Sequence, residues 1–241
     1  MVRRGKKAGK RHGKSHEAEY RPSLSDFKTK KLLGKGGFGA VYLARKIRGP
    51  RCSTEMKKVE LDILQSMSGQ AYFPALHWSF EEEDTQYLVM DHVKGGDMFE
   101  LLSAKQRMRV PEVKFYAAEL LAAVDNLHKH GIVHQDIKLE NVMVDEEGHL
   151  CLAADLDLRS VGFMLFEMWA GESPFDPAQT PQKMEMKFPP ETPDSLISLL
   201  TGLLSPDPAS RLTMEQAKQH EFFQGLDWMQ VEQRGMSPPR C

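Results

Sequence analysis

Apolar and polar positions alternate along this chain in two different rhythms, and the change of rhythm divides it. Residues 1 to 25 show no apolar period at all and read as tail and linker. From Phe27 to Leu33 and from Ala40 to Arg45 the pattern is strand-like, and between these runs stand Gly34, Gly36, Gly37 and Gly39, so a hairpin with a glycine-rich turn is expected. Val59 to Met67 carries apolar residues at 59, 61, 63, 64 and 67, a helical spacing, and Tyr87 to Val93 reads as another strand.

Beyond Gly95-Gly96 the rhythm becomes helical. Pro111 suits a first helical turn, and apolar residues at Phe115, Leu120, Leu121, Val124 and Leu127 predict a long helix to about His130. Ile132 to Leu152 reads as two small strands around a turn at Glu146-Glu147-Gly148. Helices are expected over Leu158 to Trp169, Asp194 to Leu204 and Thr213 to His220. A strand-rich front followed by a helix-rich back is an α+β arrangement with a cleft between two lobes. The expected organisation is a tail over 1–25, a small lobe over 26–93, a large lobe over 94–228 and a C-terminal stub over 229–241.

Composition adds little to this and excludes some classes. With 241 residues, 41% hydrophobic and 27% charged, the chain is long enough for a substantial core. Its formal net charge is -2, but Arg3, Arg4, Lys6, Lys7, Lys10, Arg11 and Lys14 form a basic arm that leaves the remainder acidic. A nucleic-acid partner for the folded body is therefore not expected, although the arm suits phosphate contacts or a nuclear address. Cys52, Cys151 and Cys241 are too few and too scattered for a disulfide frame or a zinc site, which fits the cytosol or nucleus. No apolar run approaches a bilayer span, so no membrane partner is expected.

The candidate chemistry begins with Gly34-Lys35-Gly36-Gly37-Phe38-Gly39-Ala40-Val41, which fits G-x-G-x-x-G-x-V. Its glycines let backbone N–H groups approach a phosphate with no side chain in the way. The strand-like residues after it favour a hairpin turn over the helix start of a dinucleotide fold. A more specific signal is His134-Gln135-Asp136-Ile137-Lys138-Leu139-Glu140-Asn141, with an acid, a lysine and an amide at offsets of 0, 2 and 5. This stretch resembles the catalytic loop of protein kinases, H-R-D-L-x-x-x-N, and the lysine resembles the serine/threonine class. The resemblance implies that Asp136 accepts the substrate hydroxyl proton, that Lys138 steadies the phosphate and that Asn141 holds magnesium.

Further matches follow in the family's order. Tyr87 to Val93 looks like the last small-lobe strand and hinge, with Met90 as gatekeeper and backbone groups near Asp91 and Val93 on adenine. Gly95-Gly96-Asp97 is similar to the turn whose acid meets the ribose. Asp157 to Gly162 resembles the start of the large lobe's central helix, and Asp207 to Leu212 its late arginine motif. His220 to Trp228 looks like the closing helix of AGC kinases, and Ser237-Pro238-Pro239 like the stub of their tail. ATP and Mg2+ are the implied cofactors, and a protein substrate or protein partner the implied macromolecule.

Three places depart from the family. Lys57 is the candidate ATP-anchoring lysine, but its usual glutamate partner would be Glu60, only three residues on, so either the third strand or most of the following helix is missing. The magnesium-binding aspartate of D-F-G would fall on Ala154, and Asp155 stands one place late, facing the wrong way unless a bulge corrects it. Between Ala154 and Asp157 only two residues remain where kinases carry a long activation segment ending in A-P-E, and that motif is absent. Arg211 is thereby left to water or another acid, and Gln135 replaces the arginine that grips a phosphorylated loop. The expected function is ATP binding with impaired phosphoryl transfer to Ser/Thr hydroxyls. The alternatives are a pseudokinase scaffold or a truncated isoform of an active kinase.

Overall fold

A computed structural model describes residues 22–36, 39–47, 53–57, 65–83, 85–132, 139–152, 158–174 and 186–239. At the front, β1 (Phe27–Gly36), β2 (Gly39–Lys46), β3 (Ser53–Lys57), β4 (Leu76–Glu82) and β5 (Thr85–Asp91) form one sheet in the order β1-β2-β3-β5-β4. All its pairings are antiparallel. The glycine cluster makes the β1–β2 connection as the spacing predicts, Gly36 standing opposite Gly39. The third strand is present, which corrects one of the two alternatives raised by the short gap after Lys57. Of the helix expected over Val59 to Met67, only 65–67 falls among the described residues, and it is helical there.

The sequence pattern also missed two elements. β4 reads Leu-His-Trp-Ser-Phe-Glu-Glu, and its Trp78 and Phe80 are only half-buried, so its apolar face was too weak to stand out. Helix α1 (Met98–Lys105) is eight residues long and shows Phe99 to solvent, which blurs its period. Its start is fixed by Asp97, whose side chain accepts the Glu100 N–H at 2.7 Å.

Behind the sheet, α2 (Val110–Lys129) runs through the centre, with Pro111 in its first turn. Apolar side chains from Val113 to Leu127 bury it on most sides. The hairpin of β6 (Val142–Val144) and β7 (Leu150–Leu152) lies against it, and α3 (Leu158–Ala170), α4 (Asp194–Leu203) and α5 (Met214–Lys218) complete the helical body. Thr213 and Gln216 cap α5 reciprocally, at 3.2 and 2.9 Å. The closing helix expected over His220 to Trp228 is instead a single 3-10 turn, Glu221–Phe223, followed by α6 (Trp228–Glu232), which Asp227 caps.

Among the described residues the two halves are unequally packed. A continuous core runs through α2, α3, α4 and α6, whereas the sheet owns two small clusters, Phe27, Ala44 and Val89 on one side and Leu88 and Met90 on the other. Aromatic stacking of Phe27 on Phe80 and Phe80 on Tyr87, at 6.0 and 5.2 Å, extends the first of these. The C-terminal residues pack on the large half, with Val231 fully buried and Met236 against the core.

Candidate functional site

Of the residues expected to meet a nucleotide, those described lie on the β1–β2 hairpin, on β5 and the connection after it, and in the turn before β6. In the glycine hairpin Gly34 pairs with Val41 and Lys35 with Ala40, while Gly37 and Phe38 lie outside the described residues. A Cβ built on Gly34 meets nothing within 4 Å, so the backbone there faces open space that a ligand can approach. Lys57 ends β3 opposite Leu88, and Glu55 stands opposite Met90.

The end of β5 is held tightly. Asp91 donates its N–H to the Ala75 carbonyl at 3.0 Å, and its carboxylate takes the Ala75 N–H at 3.2 Å and His77 Nε2 at 2.7 Å. Its N–H is therefore taken, and its side chain is a clamp onto β4. Val93 follows, half-buried, in the connection to the large half. Gly95 then passes so close to β6 that a Cβ would sit 2.3 Å from the Val144 carbonyl oxygen, and Gly96 has φ +86°, a conformation glycine alone adopts freely. The Val144 N–H bonds the Gly96 carbonyl at 2.9 Å and Asp97 bridges Met143. These contacts bring Asp97 beside the hairpin that starts at Asn141. Asp97 spends one carboxylate oxygen on the α1 cap, a structural role that sequence reasoning did not assign.

Asn141 closes a short 3-10 turn, Leu139–Asn141, with Leu139 buried as its anchor. Asp136 and Lys138, just before it, and Asp155, just after β7, lie outside the described residues. β7 ends at Leu152 and α3 begins at Leu158, so five residues connect them. Among the described residues no group of three or more His, Cys, Asp or Glu could hold a metal ion. Asn141 with Asp155 fits magnesium only as a sparse donor set in which phosphate oxygens supply most of the ligands. Arg211, expected to turn to water or an acid, donates its Nε–H to the Ser205 carbonyl at 3.1 Å.

Several functional groups escaped the sequence reading. Glu119, fully buried on α2, accepts the Leu150 N–H at 2.8 Å and contacts His149 Nδ1 at 2.5 Å, fixing β7 to the core. Burial raises its carboxyl above the ordinary range against those bonds. Arg234 reaches Asp145, whose carboxylate also takes the Glu147 and His149 N–H groups at 2.9 Å. Burial acts to raise Asp145, but the His149 N–H and the guanidinium outweigh it and hold the carboxyl low. Tyr72, buried and at φ +72°, accepts the Leu152 N–H on its carbonyl at 2.7 Å. An apolar run with one acid was the only signal for Glu119, and nothing in the pattern marked Tyr72 or Arg234.

A cleft of about 830 Å3 opens between α1, the 139–141 turn and α3, lined among others by Phe99, Leu139, Glu140, Met164 and Glu167. Glu167 is half-buried there, and burial followed by the nearby Glu140 charge pushes its carboxyl upward. An apolar floor with two carboxylates suits the stem and head of a cationic side chain.

Comparison with known proteins accounts for this arrangement. The family model described as protein kinase domain matches residues 27–158 and again 152–223, so the match is broken at the β7–α3 connection. A probable serine/threonine-protein kinase of Dictyostelium discoideum is 31% identical over 278 positions, covering 90% of this chain and 60% of that protein. Ribosomal protein S6 kinase alpha-3 of Homo sapiens is 31% identical over 287 positions, covering 92% of this chain and 39% of the relative. Ribosomal protein S6 kinase alpha-6 of Danio rerio is 31% identical over 279 positions, at 89% and 38%. The chain thus spans between about two fifths and three fifths of these relatives' length. Each alignment is longer than the whole 241-residue chain, so the relatives carry residues inside the matched region that have no counterpart here.

Proposed function

This chain belongs to the protein kinase family, as an AGC-like member of the eukaryotic serine/threonine type, and from that membership we propose that it binds ATP and transfers phosphate only feebly. The β1–β2 glycine hairpin would cover the phosphates of ATP, backbone groups near Asp91 and Val93 would hold the adenine, and Asp97 would meet the ribose. Lys57, at the end of β3, is the candidate to anchor the phosphates. Asp136 is the base for a protein serine or threonine hydroxyl, Lys138 steadies the phosphate, and Asn141 with Asp155 would hold the metal. Magnesium, when bound, neutralises charge on the phosphates.

One observation carries the weakness of transfer: five residues join β7 to α3, where the family model breaks. A peptide-binding platform does not fit in that connection, and phosphoryl transfer depends on positioning. The scaffold reading shares this observation and differs only in having no turnover.

Thermal shift with ATP, with and without magnesium, tests binding, and radiolabelled transfer to a basic peptide tests turnover. The expected result is a shift that survives magnesium removal, with transfer slight and abolished in Asp136→Asn. No shift with ATP overturns the reading. Transfer as fast as in complete kinases overturns the impairment, and a shift with no transfer at all makes the protein a binding module.

A further inference from the structure

Between Asp26 and Glu55 the chain carries eight Lys or Arg residues and no Asp or Glu, in a protein whose formal net charge is -2. Five of these cations, Lys28, Lys30, Lys31, Lys35 and Arg45, are exposed on the β1–β2 ribbon, and no ion pair among the described residues includes any of them. Lys28 stands directly opposite Arg45. Like charges opposed across an antiparallel pair repel, and here no acid of the ribbon relieves them. β1 is also an edge of the sheet, so one side of the ribbon has no neighbouring strand.

Lysines on an edge strand alone would read as protection against strand pairing. The apolar residues among them do not fit that reading. Six large hydrophobic side chains are exposed among the described residues, and four belong to this ribbon and its exit: Leu32 at 47%, Leu33 at 40%, Tyr42 at 39% and Ile47 at 51%. Leu32 and Tyr42 are cross-strand partners, so their exposure forms one patch. Phosphate recognition along a nucleic acid uses cations and aromatic stacking and has no use for exposed leucine and isoleucine. Cations flanking aliphatic side chains match a bilayer surface, where headgroups take the charge and the acyl boundary takes the apolar tips.

We propose that the β1–β2 ribbon docks this protein reversibly on membranes bearing anionic lipid. The absence of any described helix long and apolar enough to cross a bilayer is no obstacle, because the contact is peripheral. Charge and inserted apolar side chains are two signals that together hold a protein at a membrane surface better than either alone.

Sedimentation of the full chain with vesicles tests it, comparing pure phosphatidylcholine with vesicles containing about 30% phosphatidylserine. Binding is expected on the anionic vesicles alone, and to be lost when salt is raised from about 0.1 M to about 0.5 M. Each ribbon charge removed should weaken binding about fivefold, so Lys28→Gln with Lys30→Gln and Lys31→Gln should weaken it about a hundredfold. Leu32→Ser with Tyr42→Ser should weaken it at least about tenfold with all charges intact. These positions are exposed, and unchanged circular dichroism verifies each fold. The basic arm is controlled by a full-length variant with its seven cations changed to Gln, expected to keep binding within about fivefold. Loss of binding in the arm variant with none in the ribbon variants overturns the proposal. So does indifference to Leu32→Ser/Tyr42→Ser, or duplex DNA displacing the protein from vesicles at equal phosphate, which makes the ribbon a nucleic-acid surface.

Discussion

Tyr72 gives its hydroxyl proton to the main-chain oxygen of Val231, 159 residues further along the chain. The same tyrosine accepts the Leu152 N–H on its carbonyl, and the Arg234 guanidinium stands 5.7 Å from its ring. One residue in the connection before β4 therefore fastens the C-terminal segment and the end of β7 at a single point. The phenol is buried, and burial followed by the Glu119 charge keeps it protonated far above its ordinary range.

Tyr72→Phe removes that hydrogen bond while keeping the ring. The Val231 oxygen keeps the Arg234 N–H at 2.9 Å, so the loss should be modest, about 1 to 2 kcal/mol in urea unfolding. Tyr72→Ala empties the site as well and should cost about 3 to 5 kcal/mol. Equal losses in the two variants would show that the ring contributes nothing.

Glu112 sets an acid limit. Burial would raise its carboxyl, but hydrogen bonds from Arg109 and Lys105 outweigh this and bring it from 4.5 to about 2. A lowered carboxylate stabilises the fold above its unfolded value, and that stability is lost as pH falls from about 4.5 toward 2. Because Arg109 is largely exposed, solvent screening reduces the contribution to about 2 kcal/mol. Glu112→Gln should flatten the stability curve in that window, and a curve identical to the parent protein's refutes the assignment.

Glu167 has the opposite sign. Its raised carboxyl means that ionisation works against the fold, so stability falls as pH rises above the ordinary 4.5 and through the raised value. Glu167→Gln should therefore melt higher than the parent protein at neutral pH, with the gain disappearing in acid. A basic peptide that uses the cleft should bind this variant at least about tenfold more weakly, the loss of one charged contact. A lower melting temperature would mean that Glu167 is paired.

Gly95→Ala places a methyl group against the Val144 and Asp145 carbonyl oxygens, at 2.3 and 2.7 Å, and both are backbone atoms that cannot swing aside. The hinge must back away from β6, at a cost of about 1 to 3 kcal/mol. If ATP sits where proposed, its affinity should fall more than the global stability explains. Unchanged nucleotide affinity in a destabilised variant would separate the hinge from the site.

Much of this was legible in the residues, for identifiable reasons. The glycine cluster could only be a tight connection, and Pro111 with a buried apolar run made α2 unmistakable. The turn at Glu146-Glu147-Gly148 was read correctly because Gly148 takes φ +92°, the backbone state that glycine signals. β4 was missed because its tryptophan and phenylalanine serve a thin, half-open layer, and α1 because a cap and eight residues leave little period. The roles of Asp91 and Asp97 as clamp and cap depend on neighbours, His77 and the Glu100 N–H, that an apolar pattern does not register. Tyr72, Glu119 and Arg234 form long-range contacts, and no local rule pairs residues that far apart.

Among the described residues, the disparity between the broad helical core and the few buried residues under the sheet implies that the two halves do not melt as a unit. On heating, the front should loosen while the rear stays ordered, and calorimetry should resolve two endotherms. A nucleotide lodged between them acts as mortar for the weaker half, moving the first endotherm upward and leaving the second in place.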